Sequence, residues 1–196
     1  EQATLAAIGE SVERYCAGII DIKQKKRSEI DDAQRIDADD FSLYSKYQQS
    51  AENFPYANTY SEICKYSSVY NLSTNEEKWV PHPLIVLRDE YDTGIPTSSG
   101  LAAGATVNDA LLRAAEELIE RDALMTTWMH SLPGRSIEIP KELASQANEL
   151  LGEVYAFDLT PSYSPFPVIA VAGEIPQRGK WRYSLGVACR ETLKDA

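Results

Sequence analysis

One five-residue pattern occurs twice in this chain, each time within a stretch that has the apolar periodicity of an α-helix. The two copies are Glu10-Ser11-Val12-Glu13-Arg14 and Glu117-Leu118-Ile119-Glu120-Arg121. Side chains three and four positions apart are neighbours on a helix, so each pentad groups two carboxylates and one guanidinium. The sequence therefore predicts two amphipathic helices that contribute paired halves of one site.

A helical wheel divides each of these helices into an apolar arc and a charged arc. The apolar arc of the first helix consists of Leu5, Ile8, Val12, Tyr15 and Cys16. That of the second consists of Leu111, Leu112, Ala115, Leu118, Ile119 and Ala123, and its charged arc of Asp109, Arg113, Glu116, Glu117, Glu120 and Arg121. We expect each helix to bury its apolar arc. The charged arcs have two interpretations: a solvent-exposed face with i,i+4 ion pairs, such as those of Glu117 with Arg113 and Arg121, or part of a shared acidic site.

The overall charge excludes one large class of partner. The 196 residues include 19 basic and 30 acidic side chains, for a formal net charge of −11, and such a surface repels duplex nucleic acid. No apolar stretch is long enough to cross a bilayer, and no signal-peptide pattern opens the chain. We therefore expect a cytoplasmic protein that binds neither nucleic acid nor membrane.

Cysteine and histidine are too few and too scattered to favour a zinc site or a catalytic triad. Cys16, Cys64 and Cys189 have no metal-binding spacing, and the only histidines are His82 and His130. His82 lies between two prolines, so we expect a loop residue whose hydrogen bonds are satisfied.

Apolar patterning and turn residues predict alternating helices and strands. The expected helices cover residues 3–22, 106–130 and 141–151, and the expected strands cover 78–87, 154–158, 167–172 and 182–189. Residues 23–40 are expected to extend the first helix or to form a hairpin. Residues 44–70 are rich in Tyr, Ser and Asn, which favours irregular structure.

A loop of small residues precedes the second pentad helix. Residues 98–104 leave room for a ligand to reach the backbone, although an ordinary strand-to-helix connection has the same composition. Thr106 and Asp109 match a capping box, which predicts that the helix begins directly after Thr106. The same Thr-x-x-Asp-Ala signal recurs at residues 192–196, where a third such helix is expected to begin. Asp122 falls on the apolar side of the second helix and needs a structural partner there.

Carboxylates that converge from two helices repel one another unless protons or cations lie between them. Mg²⁺ takes oxygen ligands and commonly shares them with substrate phosphates. The sequence contains neither a Walker A stretch nor a G-x-G-x-x-G stretch, the two common phosphate-binding loops. An acidic site in this chain would therefore bind a nucleotide through metal ions, with arginines contacting the phosphate oxygens.

These segments together resemble the signature of YcaO-domain proteins. Residues 97–106, 109–112 and 117–123 are similar to the central part of that signature, and residues 10–15 to its earlier E-x-x-E-R-Y helix. A looser similarity covers residues 79–81, 128–139 and 154–172. The chain is most similar to the cyclodehydratase branch, which forms thiazoline and oxazoline rings in ribosomal peptides.

The resemblance implies an α+β, internally duplicated YcaO-like fold in which carboxylate-bearing helices pack on β-sheet. Residues 1–196 are then a partial domain whose carboxy-terminal part is missing. It also implies an ATP site built on Mg²⁺-bound glutamates. The implied metal ligands are Glu10, Glu13 and Glu117, and the implied cofactor-binding residues are Glu10, Glu13, Arg14, Asp109, Arg113, Glu117, Glu120 and Arg121. The motif arginines, Arg14 and Arg121, either contact phosphate or brace the glutamates.

The reaction that the resemblance implies is ATP-dependent cyclodehydration. A Cys, Ser or Thr side chain of the peptide attacks the preceding carbonyl, and phosphorylation of the resulting oxyanion lets the oxygen leave as phosphate. The implied partners are the peptide substrate, a protein that binds its leader peptide, a flavin dehydrogenase and a second copy of the chain in a homodimer. The alternative is a noncatalytic scaffold or peptide-binding module with the same fold. No catalytic residue is identified, and the partial chain is expected to be inactive alone and to bind ATP weakly at best.

Overall fold

The computed structural model describes residues 2–41, 43–55, 65–87, 97–149 and 152–196 of the chain. These residues fall into two compact units, Glu1–Ser98 and Ser99–Ala196. Each unit combines helices with one antiparallel sheet. The predicted α+β class is therefore confirmed.

The first unit contains a long helix and a three-stranded sheet. Its helices are α1 (Gln2–Ile19) and α2 (Lys46–Gln49), and its strands are β1 (Gln24–Lys26), β2 (Lys65–Asn71) and β3 (Glu76–Pro81). The strands pair antiparallel in the order β1-β2-β3. Short 3₁₀ helices follow β1 and β3, at Arg27–Glu29, Asp32–Gln34, Ala38–Phe41 and His82–Leu84.

The core of the first unit forms around Ile30, Tyr66 and Trp79. The Tyr66 hydroxyl donates a hydrogen bond to Asp37, which also accepts from Arg27 Nη2 at 2.9 Å and from Arg35 Nε at 3.0 Å. Burial raises the pKa of Asp37, but the hydrogen bonds and the positive charges outweigh burial, and the pKa ends below its ordinary value. Burial and the hydrogen bond to Asp37 raise the pKa of Tyr66 to about 12.

The second unit contains the second pentad helix and a four-stranded sheet. Its helices are α3 (Val107–Met129) and α4 (Lys141–Glu149), and its strands are β4 (Arg135–Ile137), β5 (Glu153–Asp158), β6 (Val168–Gln177) and β7 (Lys180–Cys189). The strands pair antiparallel in the order β4-β5-β6-β7. Helix α3 packs on the end of the β6–β7 hairpin, where Ala123, Val168 and Cys189 form a buried cluster.

Three local expectations for the first unit are corrected. Residues 23–40 neither extend α1 nor form a hairpin, because β1 pairs with β2 from a distant part of the sequence. The expectation of irregular structure in residues 44–70 is wrong for β2, whose Tyr66 and Ser67 are fully buried. Their hydroxyls bond Asp37 and His82 Nδ1, the latter at 2.7 Å, so polar side chains can lie in this core. Strand β3 ends at Pro81 rather than at residue 87, since proline has no N–H for a sheet ladder.

The expectation that each pentad helix buries its apolar arc is wrong for α1 and only partly right for α3, where Ala123 is buried and Ile119 packs against the buried cluster. On α1, Leu5, Ile8, Val12 and Tyr15 are all exposed. On α3, Leu118 is 52% exposed whereas Glu116, assigned to the charged arc, is only 3% exposed. Within the described ranges, no helix has both the length and the apolar composition that a membrane span requires.

Candidate functional site

The start of helix α3 is fixed by the predicted capping box. Thr106 Oγ1 accepts a hydrogen bond from the Asp109 N–H at 3.2 Å, and the Asp109 carboxylate accepts from the Thr106 N–H at 3.1 Å. Gly104 lies against this first turn, where an added Cβ would come within 2.5 Å of the Ala110 nitrogen. Only glycine allows this close approach. The structure therefore places Asp109 at the helix cap, and its predicted contact with a cofactor stays a prediction.

Both carboxylate oxygens of Glu117 accept hydrogen bonds. Oε1 accepts from Arg121 Nε at 3.0 Å and from Arg121 Nη2 at 2.8 Å, while Oε2 accepts from the Gly100 N–H at 2.9 Å. Gly100 has a φ of 81°, a left-handed conformation that favours glycine, and it packs against Leu118. The small-residue loop thus folds onto the second pentad and fixes the position of its first carboxylate.

Glu116 and Glu120 face the end of strand β7. Glu116 Oε2 lies 3.5 Å from Arg190 Nη1, and Glu120 Oε2 accepts a hydrogen bond from the Cys189 N–H at 3.3 Å. Arg190 Nη1 also donates to the Cys189 carbonyl. Buried carboxylates need such partners, because burial without them costs several kcal/mol. The strand end therefore explains why two acidic side chains lie at a helix–sheet interface.

The charge of Glu120 is only partly compensated. Burial raises the pKa of Glu120 and the Glu117 carboxylate adds to this, while the Cys189 N–H and Arg190 act in the opposite direction; the net pKa is raised. The Cys189 thiol responds in the same way, since burial and then Glu116 and Glu120 raise its pKa. Burial against the end of β7 is therefore the main reason that the pKa values of Glu120 and Cys189 are raised.

The first pentad lies on α1, in the first unit. On α1, Arg14 Nη2 lies 3.8 Å from Glu10 Oε1, and Arg14 Nε lies 3.5 Å from Glu13 Oε1. The Glu10 side chain is 70% exposed and that of Glu13 is 17% exposed. In both pentads the arginine braces the first glutamate at i,i+4, which is one of the two roles considered for it.

The whole chain matches a known family at the sequence level. Residues 1–196 match the family model described as YcaO cyclodehydratase, ATP- and Mg²⁺-binding. This chain belongs to the YcaO family. No curated protein matches the chain significantly. The resemblance carried by the two pentads and the small-residue loop is thereby confirmed.

Solved YcaO-related structures share the fold. A heterocyclase in complex with substrate and cofactor superposes with a TM-score of 0.78 at 22% identity, covering 96% of this chain and 28% of that one. The Escherichia coli microcin synthetase McbBCD complex with pro-MccB17 bound superposes with a TM-score of 0.74 at 22% sequence identity. The match covers 97% of this chain and 51% of that one. YcaO from Methanopyrus kandleri bound with AMPPCP and Mg²⁺ superposes with a TM-score of 0.69 at 19% sequence identity. The match covers 95% of this chain and 47% of that one. The chain thus spans about half or less of the length of these proteins.

The residues of α3 fit the cofactors of the family, ATP and Mg²⁺. Glu117, one of the predicted metal ligands, would supply the carboxylate oxygens that Mg²⁺ prefers, and Glu120 on the next turn carries a second carboxylate. Arg121 lies beside them with a guanidinium suited to phosphate. Within the described ranges, no three His, Cys, Asp or Glu side chains are grouped so as to hold a metal ion by themselves.

The structure brings together part of the predicted site and adds residues to it. Glu117 and Arg121 are in contact, and Glu120 lies one turn away on α3. Among the described residues, Glu117 pairs with Arg121 but not with Arg113. That Glu10, Glu13 and Glu117 approach one another stays a prediction.

Sequence reasoning missed three contributors to this region: the Gly100 N–H, the buried Glu116 and Arg190. Two of them had a usable signal, because Arg190 is a charged residue directly after a predicted strand and Gly100 lies in the small-residue loop of residues 98–104. Asp122 does have a partner, the Tyr163 hydroxyl, but both side chains are exposed rather than on the apolar side.

Proposed function

We propose that this chain is part of an ATP-dependent enzyme that modifies backbone amides of a ribosomal peptide, by cyclodehydration of Cys, Ser or Thr to azoline rings. The observation that carries this proposal is the carboxylate of Glu117, fixed by Arg121 and by a backbone N–H of the small-residue loop. Membership in a family described as ATP- and Mg²⁺-binding supports the same assignment.

In this proposal Glu117 and Glu120 supply one half of the magnesium site. Two carboxylates one helical turn apart are too few for an octahedral ion, which takes further oxygens from other groups and from phosphates. The further ligands that this proposal predicts are Glu10 and Glu13 of α1, which repeat the same spacing on the other pentad helix. Arg14 and Arg121 orient the glutamates, and their remaining N–H groups serve phosphate oxygens.

When bound, Mg·ATP would supply the phosphoryl group that turns the amide oxygen into a leaving group. The nucleophile comes from the peptide itself, so the chain need not provide one. Its residues orient the nucleotide toward the amide and spread the charge that develops on the phosphoryl oxygens. No residue of the chain is assigned as general base.

The proposal extends to partners. A leader-binding protein and a flavin dehydrogenase would accompany the enzyme, and the complex would act in the cytoplasm as a homodimer. The microcin synthetase relative, which was solved as a McbBCD complex with pro-MccB17, supports the expectation of partner proteins and a peptide substrate.

Two measurements on the complete protein test the function. The first titrates AMPPCP with and without Mg²⁺, and we expect binding only with the metal. The second incubates protein, ATP and candidate peptides and follows peptide mass, where each ring formed removes one water. A matched peptide with alanine in place of Cys, Ser and Thr should consume no more ATP than the protein alone.

The outcomes separate the proposal from its alternatives. ATP consumption with a change of mass other than loss of water would point to another amide modification. Peptide binding without Mg²⁺-dependent nucleotide binding would identify a noncatalytic peptide-binding module. Either result would overturn the cyclodehydratase assignment.

A further inference from the structure

Strand β7 is the outermost strand of the sheet in the second unit. The strand order is β4-β5-β6-β7, and β7 pairs with β6 in one continuous antiparallel register over Lys180–Cys189. The strand at the opposite edge, β4, has only three residues. An edge strand presents a row of backbone N–H and C=O groups with which a further strand can pair. Strand β7 is therefore the longer edge of this sheet.

The hydrogen bonds at the end of β7 show which of its backbone groups point outward. The Cys189 N–H points away from β6, because it donates to Glu120 of α3 at 3.3 Å. The next N–H, that of Arg190, points toward β6 and donates to the Pro167 carbonyl at 3.3 Å. Successive residues of an antiparallel strand alternate in this way. The outward backbone groups thus belong to Val187, Leu185, Tyr183 and Trp181, and within the described ranges none of them has a hydrogen-bond partner.

The side chains of these residues lie on the face of the sheet that α3 covers at one end. Every second residue of a strand shares a face, and Cys189 of the same series belongs to the buried cluster under α3. Farther along β7 the face is uncovered: the exposed fractions are 53% for Leu185, 74% for Tyr183 and 54% for Trp181. The outer edge of β7 therefore has an exposed apolar and aromatic side.

Uncompensated cations lie at the hairpin end of the same edge. Arg178 belongs to the β6–β7 turn, while Lys180 and Arg182 lie on the face of β7 opposite to Trp181. The cross-strand partners of Lys180 and Arg182 on β6 are the uncharged Gln177 and Ile175. Among the described residues, no carboxylate forms an ion pair with any of these three cations. Their charges are therefore available to a ligand.

Most of β7 lacks the features that protect edge strands from pairing. Such protection usually comes from charged residues along the strand, from proline or from a bulge. In β7 the charges are confined to Lys180 and Arg182, and residues 183–189 contain no charged residue and no proline. The unbroken register with β6 excludes a bulge within the strand. This part of β7 is therefore open to an additional strand.

We propose that the outer edge of β7 binds an extended peptide segment as an additional antiparallel strand, in which apolar and acidic residues alternate. Antiparallel addition continues the pairing of this sheet and is more stable per residue than parallel pairing. Residues directly opposite each other have side chains on the same face. Apolar side chains of the segment thus pack beside Trp181, Tyr183 and Leu185, and the intervening carboxylates lie on the face of Lys180 and Arg182.

The uncompensated cations favour a peptide over a second copy of this chain. A second β7 strand would bring more lysine and arginine to the edge and no carboxylate, because β7 contains no acidic residue. The proposed function requires a peptide but assigns no surface to it. This inference adds that surface, and only the identity of the peptide as the substrate rests on the proposed function.

The first test uses backbone chemistry of the peptide and needs no protein variant. Fluorescence anisotropy follows a short labelled peptide of alternating valine and glutamate, titrated with the complete protein. In the proposed pairing the valine N–H groups point toward β7 and the glutamate N–H groups point away. N-methylation of the valines should weaken binding at least about tenfold, because several hydrogen bonds are lost. N-methylation of the glutamates is the matched control and should leave the affinity nearly unchanged. Equal losses would overturn the proposal.

The second test removes one outward N–H from the protein. An edge strand tolerates proline where the N–H faces solvent, so Leu185→Pro should fold and should weaken binding by about tenfold. Leu185→Ala keeps the N–H and should weaken binding less. Unchanged affinity in Leu185→Pro would contradict strand addition. Conversion of a dimer to a monomer by Leu185→Pro, without peptide binding by the parent protein, would identify a second copy as the occupant and overturn the proposal.

The third test concerns charge. Lys180→Gln with Arg182→Gln should weaken binding of the valine–glutamate peptide roughly tenfold and should not affect a valine–glutamine peptide. The control pair, Lys46→Gln with Lys194→Gln, removes two exposed cations elsewhere. Equal weakening by both pairs would show a nonspecific charge effect and overturn the proposal.

These assays contain neither ATP nor Mg²⁺, so their failure and that of the proposed function are distinguishable. Absence of peptide binding would overturn the assignment of β7 and leave ring formation to be judged by peptide mass. Strand addition in a protein that consumes no ATP would support the β7 surface and count against the enzymatic function.

Discussion

The two pentad helices share a sequence pattern and differ in what surrounds it. On α3, the Glu117 carboxylate is held by Arg121 and by the Gly100 N–H, and its side chain is 26% exposed. On α1, Glu10 is braced by Arg14 of the same helix and is largely exposed. The pentad therefore determines the arginine–glutamate brace, while the neighbouring loop and sheet determine how firmly a carboxylate is fixed.

The largest expected effect is on activity. In the complete protein, Glu117→Gln should reduce ATP turnover with the peptide by about two orders of magnitude or more, because the amide keeps the size of the side chain but loses the charge that a metal ion needs. Turnover and melting temperature are measured together. Glu149→Gln at the exposed end of α4 is the matched control and should change neither. Unchanged turnover at saturating Mg²⁺ would show that Glu117 does not belong to the metal-binding site.

The second prediction compares how much one carboxylate of each pentad helix contributes to the free energy of unfolding. Glu116→Gln on α3 should destabilise the chain by about 1–3 kcal/mol, because Arg190 loses its charged partner at a buried position. Glu10→Gln on α1 should cost less than about 0.5 kcal/mol, since its ion pair is exposed. Urea unfolding of both variants measures the difference. Equal losses would contradict the contrast between the helices.

The third prediction separates backbone strain from the loop contact. Gly100 and Gly179 both have a positive φ, of 81° and 73°, so alanine at either position should cost about 1–2 kcal/mol. Only Gly100 packs on Leu118 and donates to Glu117; a Cβ at Gly179 would meet nothing within 4 Å. Gly100→Ala should therefore also weaken Mg²⁺-dependent nucleotide binding by the complete protein, measured by titration calorimetry. If Gly179→Ala weakens it equally, the loop does not fix Glu117.

The smallest expected effect concerns a hydrogen bond from a tyrosine hydroxyl to a carboxylate, which occurs in the sheet of each unit. The folded-state pKa of Asp37 lies below its ordinary value of 3.8, so its ionised form stabilises the fold above that value and this stabilisation is lost as the pH falls through the folded-state pKa. Tyr66→Phe removes one hydrogen bond that lowers the pKa and should cost about 1 kcal/mol at neutral pH. The loss should shrink as the solution is acidified, which unfolding titrations at several pH values would detect.

The matched control is Tyr155→Phe in the second unit. Its hydroxyl also bonds a carboxylate, that of Glu153, but Tyr155 is 44% exposed. We expect a smaller loss of stability than for Tyr66→Phe. A loss for Tyr66→Phe that stays constant with pH would show that Asp37 is not the group affected.

Sequence reasoning predicted the features that depend on neighbours along the chain. The capping box of Thr106 and Asp109 and the i,i+4 braces of Glu10 with Arg14 and Glu117 with Arg121 are confirmed. Each of these contacts joins residues within four positions of one another. Helical geometry alone brings such residues together, so no knowledge of the rest of the fold is needed.

The features that the sequence did not predict depend on residues far apart in the chain. Periodicity assigned Glu116 to the charged arc of its helix, and only the end of β7, with Arg190 and the Cys189 N–H, makes burial of acidic groups favourable there. The buried Tyr66 and Ser67 likewise depend on Asp37 and His82.

The sequence by itself thus determined the local geometry of both pentads, which follows from helical spacing and capping. Its motifs also carried the family resemblance, and that resemblance implied the α+β class. The tertiary structure alone decided which carboxylates are buried and that β7 lies at an edge of its sheet. The physical reason is that burial and strand order are set by contacts between distant segments, which hydrophobic periodicity does not encode.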